Sequence, residues 1–594
     1  MSTSSMISAI QKLSFLLTRE EKFKWLGIVV FALCTSFFEV LTASIIVVFA
    51  RVLNQVEMGQ KYLAMLGFGL DLSPSRIVSY ISIIVGIVYI IKNLVAAVEV
   101  FYQNFSIQKM NYQFKNKLLR CYAEADYGFY LTRNSSLGLQ VIGGDVELMF
   151  SGGMICLASI LSEGIIFLCL IALVIMMNPP LALAIFGIGA VLGYGITKGL
   201  LPRFYRFGQR LQEAGLYSSQ NLTQFFHGFK EIILLGKRDA FINAYQYHSL
   251  KKSRIQAMQT AINALPRMVI EVLFVGLFVT TISLLCLEHE SPLQMIGILS
   301  GYLYAGFRLM PGLNRIINQL NTFKSSIPSI ERVHTEYYTV ANKENYVSVP
   351  EFSFEDGITF KNVNFRYLNT EKDSLTHISL KIKKGECIGI VGETGSGKST
   401  FVDVMLGLLK PYEGSVLVDE KFPVNSYQWH LKLGYVPQSV YLIDDSIEAN
   451  IAFGEQKINE IKLNQAIDSA QLRKLIDQLP LGSQTIVGER GIRLSGGERQ
   501  RIAIARALYR DPEVLIFDEA TSALDNETES RLMETIHAIS QNRTVIMIAH
   551  RLTTLKDCNR IIVMENGKIK ELVTYSALNN LSQIGSNHVE KFSY

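Results

Sequence analysis

The chain has 594 residues, of which 49% are apolar and only 18% charged, and its formal net charge is +5. That length allows more than one domain, and so little charge excludes a soluble protein throughout and points to a membrane component. The modest positive balance carries no nucleic-acid signature, and the seven cysteines (34, 121, 156, 169, 286, 387, 558) form no C-x-x-C pair and no metal-ligand spacing.

Met6, Ile7, Ile10, Leu13, Leu16 and Leu17 recur at helical spacing, and Lys12 interrupts any apolar core. Residues 1–23 therefore read as an amphipathic helix at a membrane surface, not as a cleavable leader. A transmembrane domain over 24–328 follows. Its six helices are expected at 24–53, 77–101, 154–178, 181–201, 262–287 and 294–322. Each has the about 20 residues that a bilayer core of ~30 Å requires. Asn178-Pro179-Pro180 makes a tight turn, and the segment Tyr62 to Phe68 suggests a short interfacial helix. Several cysteines fall in the apolar runs, where they read as plain buried thiols.

Lys and Arg concentrate in two connecting segments. One carries Lys109, Lys115, Lys117, Arg120 and Arg133, and the other runs from Arg203 to Arg254. By the positive-inside rule both segments and both termini are cytoplasmic. Both also read as helical, so the spans are expected to continue past the membrane. Inside the spans lie Glu39, Lys92, Glu99, Glu163, Arg267, Glu271, Arg308 and Arg315. A Lys or Arg at the bilayer centre costs about 2.5–3.5 kcal/mol, so such residues face a cavity or a partner. Arg267 and Glu271 are four apart and can pair with each other. Arg308 and Arg315 flank Pro311 near one helix face, and either line a cavity or serve structural pairs.

After a linker at 329–355 the text changes to short β-like runs, glycines and charged helices over 356–575, with a tail at 576–594. Tyr367 follows a strand-like run and could stack on a base. The run Cys387 to Val391 leads into Gly392, Glu393, Thr394, Gly395, Ser396, Gly397, Lys398 and Ser399, then Thr400 and an apolar helix-like stretch. This is the G-x-x-x-x-G-K-[ST] loop between strand and helix. Backbone N–H groups close around phosphate, Lys398 reaches the β- and γ-phosphates, and the Ser399 hydroxyl suits Mg²⁺. Gln438 could touch Mg²⁺ and the attacking water. Asp518 and Glu519 end an apolar strand, the first suited to Mg²⁺ and the second to polarising water. Ser522 to Asp525 come next, and His550 ends another strand.

In this order the motifs resemble the ATPase domain of ABC transporters. Ser495, Gly496, Gly497 and Glu498 match the phosphate-contacting core of that family's signature, and Thr485 to Gly491 is similar to the exporter type of contact loop. The resemblance implies an α/β P-loop ATPase fused behind a six-span helical domain of ABC exporter type, with ATP and Mg²⁺ as cofactors. It implies Glu519 as general base or water-positioner, His550 as the γ-phosphate contact, Tyr367 as the adenine platform and Gln438 as the coupling glutamine. It implies a second copy of the chain, because the signature of one subunit completes the phosphate-loop site of the other. It also places contact elements at about 127–137 and 222–235, the tips of the two cytoplasmic segments.

Several cations in a cavity favour an anionic cargo, and Arg forks suit phosphate oxygens. Ser36 to Ser44, Pro266-Arg267 with Glu271, and Phe307 to Ile316 resemble PglK-type flippases. That likeness implies a phosphate- or pyrophosphate-bearing lipid-linked oligosaccharide moved across the bacterial inner membrane, with Lys92, Arg267, Arg308 and Arg315 serving the pyrophosphate. Lys92 stands where that family has arginine. An exporter of drugs, peptides or lipid A-type lipids is the alternative on the same fold. An ATP-gated channel or regulatory membrane protein is the alternative of another class.

Overall fold

The computed structural model describes residues 2–54, 56–65, 73–133, 135–177, 187, 194–287, 292–341, 347–368, 370–520, 526–540, 543–549 and 551–578. They divide into a helical unit (residues 1–123 and 133–342) and a unit holding the sheets (residues 124–132 and 343–594).

In the helical unit the first helix, Ser2–Leu16, buries Ala9, Leu13 and Leu16 and leaves Ile7 and Ile10 exposed. It packs on the helix Pro292–Ala341, with Phe15 and Tyr338 rings 5.5 Å apart. Thr18 and Glu21 form a reciprocal cap that starts the next helix: the Thr18 N–H donates to Glu21 Oε2 at 2.7 Å, and the Glu21 N–H donates to Thr18 Oγ1 at 3.3 Å. That helix runs Arg19–Asn54, and a short helix Val56–Met65 follows, covering the described part of the expected interfacial segment.

The helices Pro74–Glu124, Arg238–Leu287 and Pro292–Ala341 have 51, 50 and 50 residues. At 1.5 Å per residue each is about 75 Å long, so each runs far beyond a ~30 Å core, as the sequence suggested for the helices of the second and fifth spans. Among the described residues four stretches, Arg19–Ile46, Pro74–Glu124, Ser136–Cys169 and Arg238–Thr280, are long and apolar enough to cross a membrane. Exposed Ile90, Leu94 and Val272 give them an outer surface suited to acyl chains. Of the expected fourth span only residues 187 and 194–201 are described. The expected sixth span falls within Pro292–Ala341, which continues as helix through Pro311.

The third span extends past its expected membrane part, as the helical reading of the connecting segment suggested, but its path is not wholly α-helical. Its helical path begins at Ser135, well before residue 154, and passes through two π-helical stretches, Val141–Asp145 and Met149–Ile155, before Cys156–Met177. Asp145 is fully buried there and joins three helices. It accepts from Ser329 Oγ at 2.8 Å and Gln212 Nε2 at 3.0 Å, and pairs with Arg332 at 3.3 Å. The helix Leu201–His227 also meets Pro292–Ala341 closely, since a Cβ on Gly208 would lie 2.0 Å from the Ser325 carbonyl oxygen.

The second unit has two sheets. Strands β1 (Gly357–Phe365), β2 (Leu375–Lys383), β4 (Glu413–Val418) and β5 (Phe422–Pro423) form an antiparallel sheet in the order β2-β1-β4-β5. Strands β3 (Cys387–Gly392), β6 (Leu433–Val436), β7 (Val514–Asp518), β8 (Thr544–Ile548), β9 (Arg560–Glu565) and β10 (Lys568–Val573) form the second, in the order β10-β9-β3-β8-β7-β6. All its pairings are parallel except β10 with β9. Every residue of β3, β7 and β8 is buried, as strands covered on both faces require. Phe360 of the first sheet stacks at 4.5 Å on Phe401, which is fully buried behind the phosphate loop.

Candidate functional site

β3 and β7 run in the same direction, so their carboxyl ends deliver Gly392 and Asp518 to the same edge of the sheet. Ligands of open α/β sheets bind at that edge. From Gly392 the chain turns through Gly395 (φ 81°) and Gly397 (φ 102°) into the helix Lys398–Met405. Those angles are open to glycine and costly for other residues, which is why the loop spaces glycines as it does. A Cβ on Gly392 would lie 2.3 Å from the Met564 carbonyl oxygen, so this position also requires the bare backbone.

Lys398 folds back over the loop. Its Nζ donates to the carbonyls of Gly392 at 2.8 Å and Glu393 at 3.0 Å. Burial lowers its pKa from the ordinary lysine value, while Glu519 and Asp518 oppose that shift by their negative charge. The Ser396 hydroxyl is buried without a hydrogen-bond partner. A buried donor of that kind costs free energy unless something supplies an acceptor. Ser396 does not line the cleft described next, and its Oγ faces the Gly392 backbone.

A cleft of about 580 Å³ opens beside the loop, lined among others by Tyr367, Lys398, Ser399, Thr400, Gln438 and Glu519. That volume is in the range of small-molecule sites. Tyr367 reaches Thr400, their hydroxyl oxygens 3.1 Å apart, and its ring stands edge-on to Phe365. Gln438 Nε2 donates to Glu519 Oε2 at 2.5 Å. Glu519 has φ 50°, a left-handed conformation rare outside glycine, asparagine and aspartate. Gln500 Nε2 holds its carbonyl at 3.3 Å, and its N–H donates to Ile548 at 3.0 Å. The unusual backbone is thus pinned from two sides.

Thr394, Gly395 and Gly397 also line the cleft. Ser495, Gly496, Gly497 and Glu498 do not. They start the helix Gly496–Tyr509, where the Ser495 N–H donates to Glu498 Oε2 at 2.7 Å and the Glu498 N–H donates back to Ser495 Oγ at 3.3 Å. His550 and the run Ser522 to Asp525 lie outside the described residues.

Sequence reasoning missed a group behind the loop. Asp403, one turn beyond Ser399, has its carboxyl pushed up to about 6 by burial and then by the charge of Asp518. The Tyr435 hydroxyl donates to Asp518 Oδ2 at 3.4 Å, and its pKa is raised by burial and by Asp518. Tyr127, on the short helix Tyr127–Leu131, is raised by burial, then by the charges of Asp403 and Tyr367. Residues 124–132 belong with the sheet-bearing unit, although they sit in sequence between two membrane spans. The i, i+4 spacing of Ser399 and Asp403 was the one readable signal.

The proposed cargo cations are in the helical unit, and for Arg315 the structure shows the structural pair that the sequence left open. Arg315 pairs with Glu163 of another helix at 3.0 Å. Lys92 pairs with Glu39 at 2.9 Å, and the Glu39 side chain is almost fully buried. Arg267 pairs with Glu271 at 2.8 Å on an exposed surface. The Arg308 side chain lies outside the described residues. The cysteine expectation needs correction: Cys34 is exposed, whereas Cys156, Cys387 and Cys558 are buried.

The chain matches the family model of the ABC transporter transmembrane region over residues 25–289 and that of the ABC transporter over 375–522. It is 28% identical to an ATP-dependent lipid A-core flippase of Saccharophagus degradans, over 99% of this chain and 99% of that protein. It is 30% identical to the protein of the same name from Chromohalobacter salexigens, over 74% of this chain and 76% of that one. The fold is that of a solved bacterial Atm1-family ABC exporter with ATP bound, with a TM-score of 0.79 at 22% identity over 95% of this chain and 98% of that one. The chain belongs to the ABC transporter family as an exporter that joins a membrane-spanning domain and an ATPase and couples ATP hydrolysis to transport.

Proposed function

We propose that two copies of this chain form a flippase for a phosphate-bearing, lipid A-type glycolipid in the bacterial inner membrane, with the ATPase units and both termini cytoplasmic. The observation that carries this reading is the likeness to a lipid A-core flippase over 99% of both chains. It favours the lipid A-type alternative over the polyprenyl-pyrophosphate reading, which rests on short motifs around Glu39, Arg267 and Pro311.

In this reading Glu519 orients or deprotonates the attacking water, held in place by Gln438, and His550 contacts the γ-phosphate. Lys398 exchanges its two carbonyl partners for phosphate oxygens. Ser495 to Glu498 serve the nucleotide of the second copy, which accounts for their lying away from their own cleft. Among the described residues no cluster of His, Cys, Asp or Glu could hold a metal ion unaided. Mg²⁺ is commonly held by one or two carboxylates together with substrate phosphates. The oxygen donors of Ser399, Gln438 and Asp518 suit it, and the ion would neutralise charge on the phosphates.

The test is ATP-dependent flipping in proteoliposomes, with a lipid A-type glycolipid in one set and a polyprenyl-pyrophosphate oligosaccharide in another. Movement of the first alone, abolished in Glu519→Gln, is expected. Movement of the second alone would return the assignment to lipid-linked oligosaccharides.

A further inference from the structure

Cys387 opens β3, and Cys558 stands two residues before β9, the strand that pairs with β3 along one side. The sulfurs are 3.4 Å apart, with Cys387 donating its S–H to Cys558. Both residues are only 8% exposed. The backbone around them is clamped. The Cys387 N–H donates to Asn559 Oδ1 at 2.7 Å, and the Asn559 N–H donates to the Cys387 carbonyl at 2.8 Å. Arg560 Nη2 donates to Glu386 Oε2 at 2.8 Å. The thiols therefore cannot drift apart without opening this end of the sheet.

We propose that Cys387 and Cys558 form an oxidative modification site, which a small peroxide converts to a disulfide that locks β3 to β9. The ligand class follows from access: at this burial a bulky oxidant is excluded, whereas hydrogen peroxide is barely larger than water. Either sulfur can be the attacker, because at 3.4 Å each can donate to the other's thiolate, and attack by Cys387 represents both. Its thiolate attacks one peroxide oxygen, the O–O bond breaks, and hydroxide leaves and takes up a proton to become water. The resulting sulfenic acid is attacked by Cys558, the S–S bond forms, the S–O bond breaks, and a second water leaves. Two thiols lose two electrons in all, and one peroxide is reduced to two waters.

The crosslink would join residues 171 positions apart, so it would remove much freedom from the unfolded chain. It would sit at the amino end of β3, opposite the Gly392 end that feeds the phosphate loop, and neither cysteine lines the nucleotide cleft. The lock should therefore raise the stability of the ATPase unit and leave hydrolysis intact.

The test uses the full-length transporter in lipid nanodiscs, treated with hydrogen peroxide, thiol-blocked and digested without reductant. A peptide joined through Cys387 and Cys558 is expected, together with a higher unfolding temperature that a dithiol reverses and an ATPase rate like that of the untreated protein. Cys558→Ala should give neither the joined peptide nor the reversible rise. Recovery of both residues as free thiols, while the exposed Cys34 oxidises, would overturn the proposal. A joined peptide with no rise in unfolding temperature would overturn the lock.

Discussion

The phosphate loop and the charged belt of the helical unit both hold polar groups away from water, and they treat them in opposite ways. At the loop, the Ser396 hydroxyl has no partner and Lys398 is held only by two backbone carbonyls. In the helical unit, Lys92 meets Glu39, Arg315 meets Glu163, Arg332 meets Asp145, and Arg133 meets Glu336. A site awaiting a ligand keeps groups that the protein leaves short of partners. Charges that serve architecture are satisfied within the protein, because the cost of leaving them alone in a low dielectric is paid continuously.

Substitutions can sharpen or break this contrast. The largest effect is expected from Glu519→Gln, which keeps the shape of the cleft and removes the base. Phosphate release should fall by about 10²–10⁴-fold while nucleotide binding survives. A variant that hydrolyses ATP at the normal rate would remove Glu519 from the chemistry. Lys92→Met should cost about 3–5 kcal/mol in denaturant unfolding in detergent, since it takes the cation from a buried carboxylate. If Lys92 instead serves cargo, stability should hold while transport falls.

Asp403 gives a pH test of the acidic group behind the loop. Its carboxyl is raised to about 6, so the folded unit binds that proton more tightly than the unfolded chain does. This contribution to stability is present below the ordinary carboxylate value and is lost as pH rises through about 6. In nucleotide-free, metal-free protein, Asp403→Asn should raise the unfolding temperature near neutrality, and the gain should shrink towards acid pH. A gain independent of pH would separate the effect from titration.

Ser396→Ala should stabilise the empty unit by about 1–3 kcal/mol, the cost of an unsatisfied buried hydroxyl, and leave ATP affinity unchanged, since Ser396 does not line the cleft. An unchanged unfolding temperature in this variant would erase the contrast at its clearest point. The smallest effect is expected from Arg267→Ala, whose exposed pair should leave thermal stability unchanged. A loss of transport there, with stability intact, would identify Arg267 as facing the cargo.

The parts of this molecule that were legible in sequence are those whose chemistry is contiguous. Gly392 to Ser399 form one loop, and strand, turn and helix follow directly from their order. Partners brought together by tertiary packing were not legible. Lys92 and Glu39 are 53 residues apart, and nothing in either span names the other. The same holds for Arg315 with Glu163 and for Tyr435 with Asp518. Burial acts on Asp403 through surroundings that a spacing rule cannot supply. Arg308 and His550, both singled out from sequence, have no described side-chain geometry to weigh. The π-helical stretches Val141–Asp145 and Met149–Ile155 were not legible either, because a 3.6-residue period does not hold across them.

Those two π-helical stretches have a consequence for alignment and engineering. A π turn closes its hydrogen bond one residue later than an α turn, so each accommodates one extra residue without a break in the helix. Beyond it, side chains are turned by about 100° relative to an uninterrupted α-helix. The residues before Val141 and those after Ile155 therefore present faces that no single helical wheel can bring into phase. Deleting one residue at Gly143 or Gly152 would not shorten a loop. It would restore α geometry and rotate one end of the span against the other, taking Asp145 or Glu163 away from its partners.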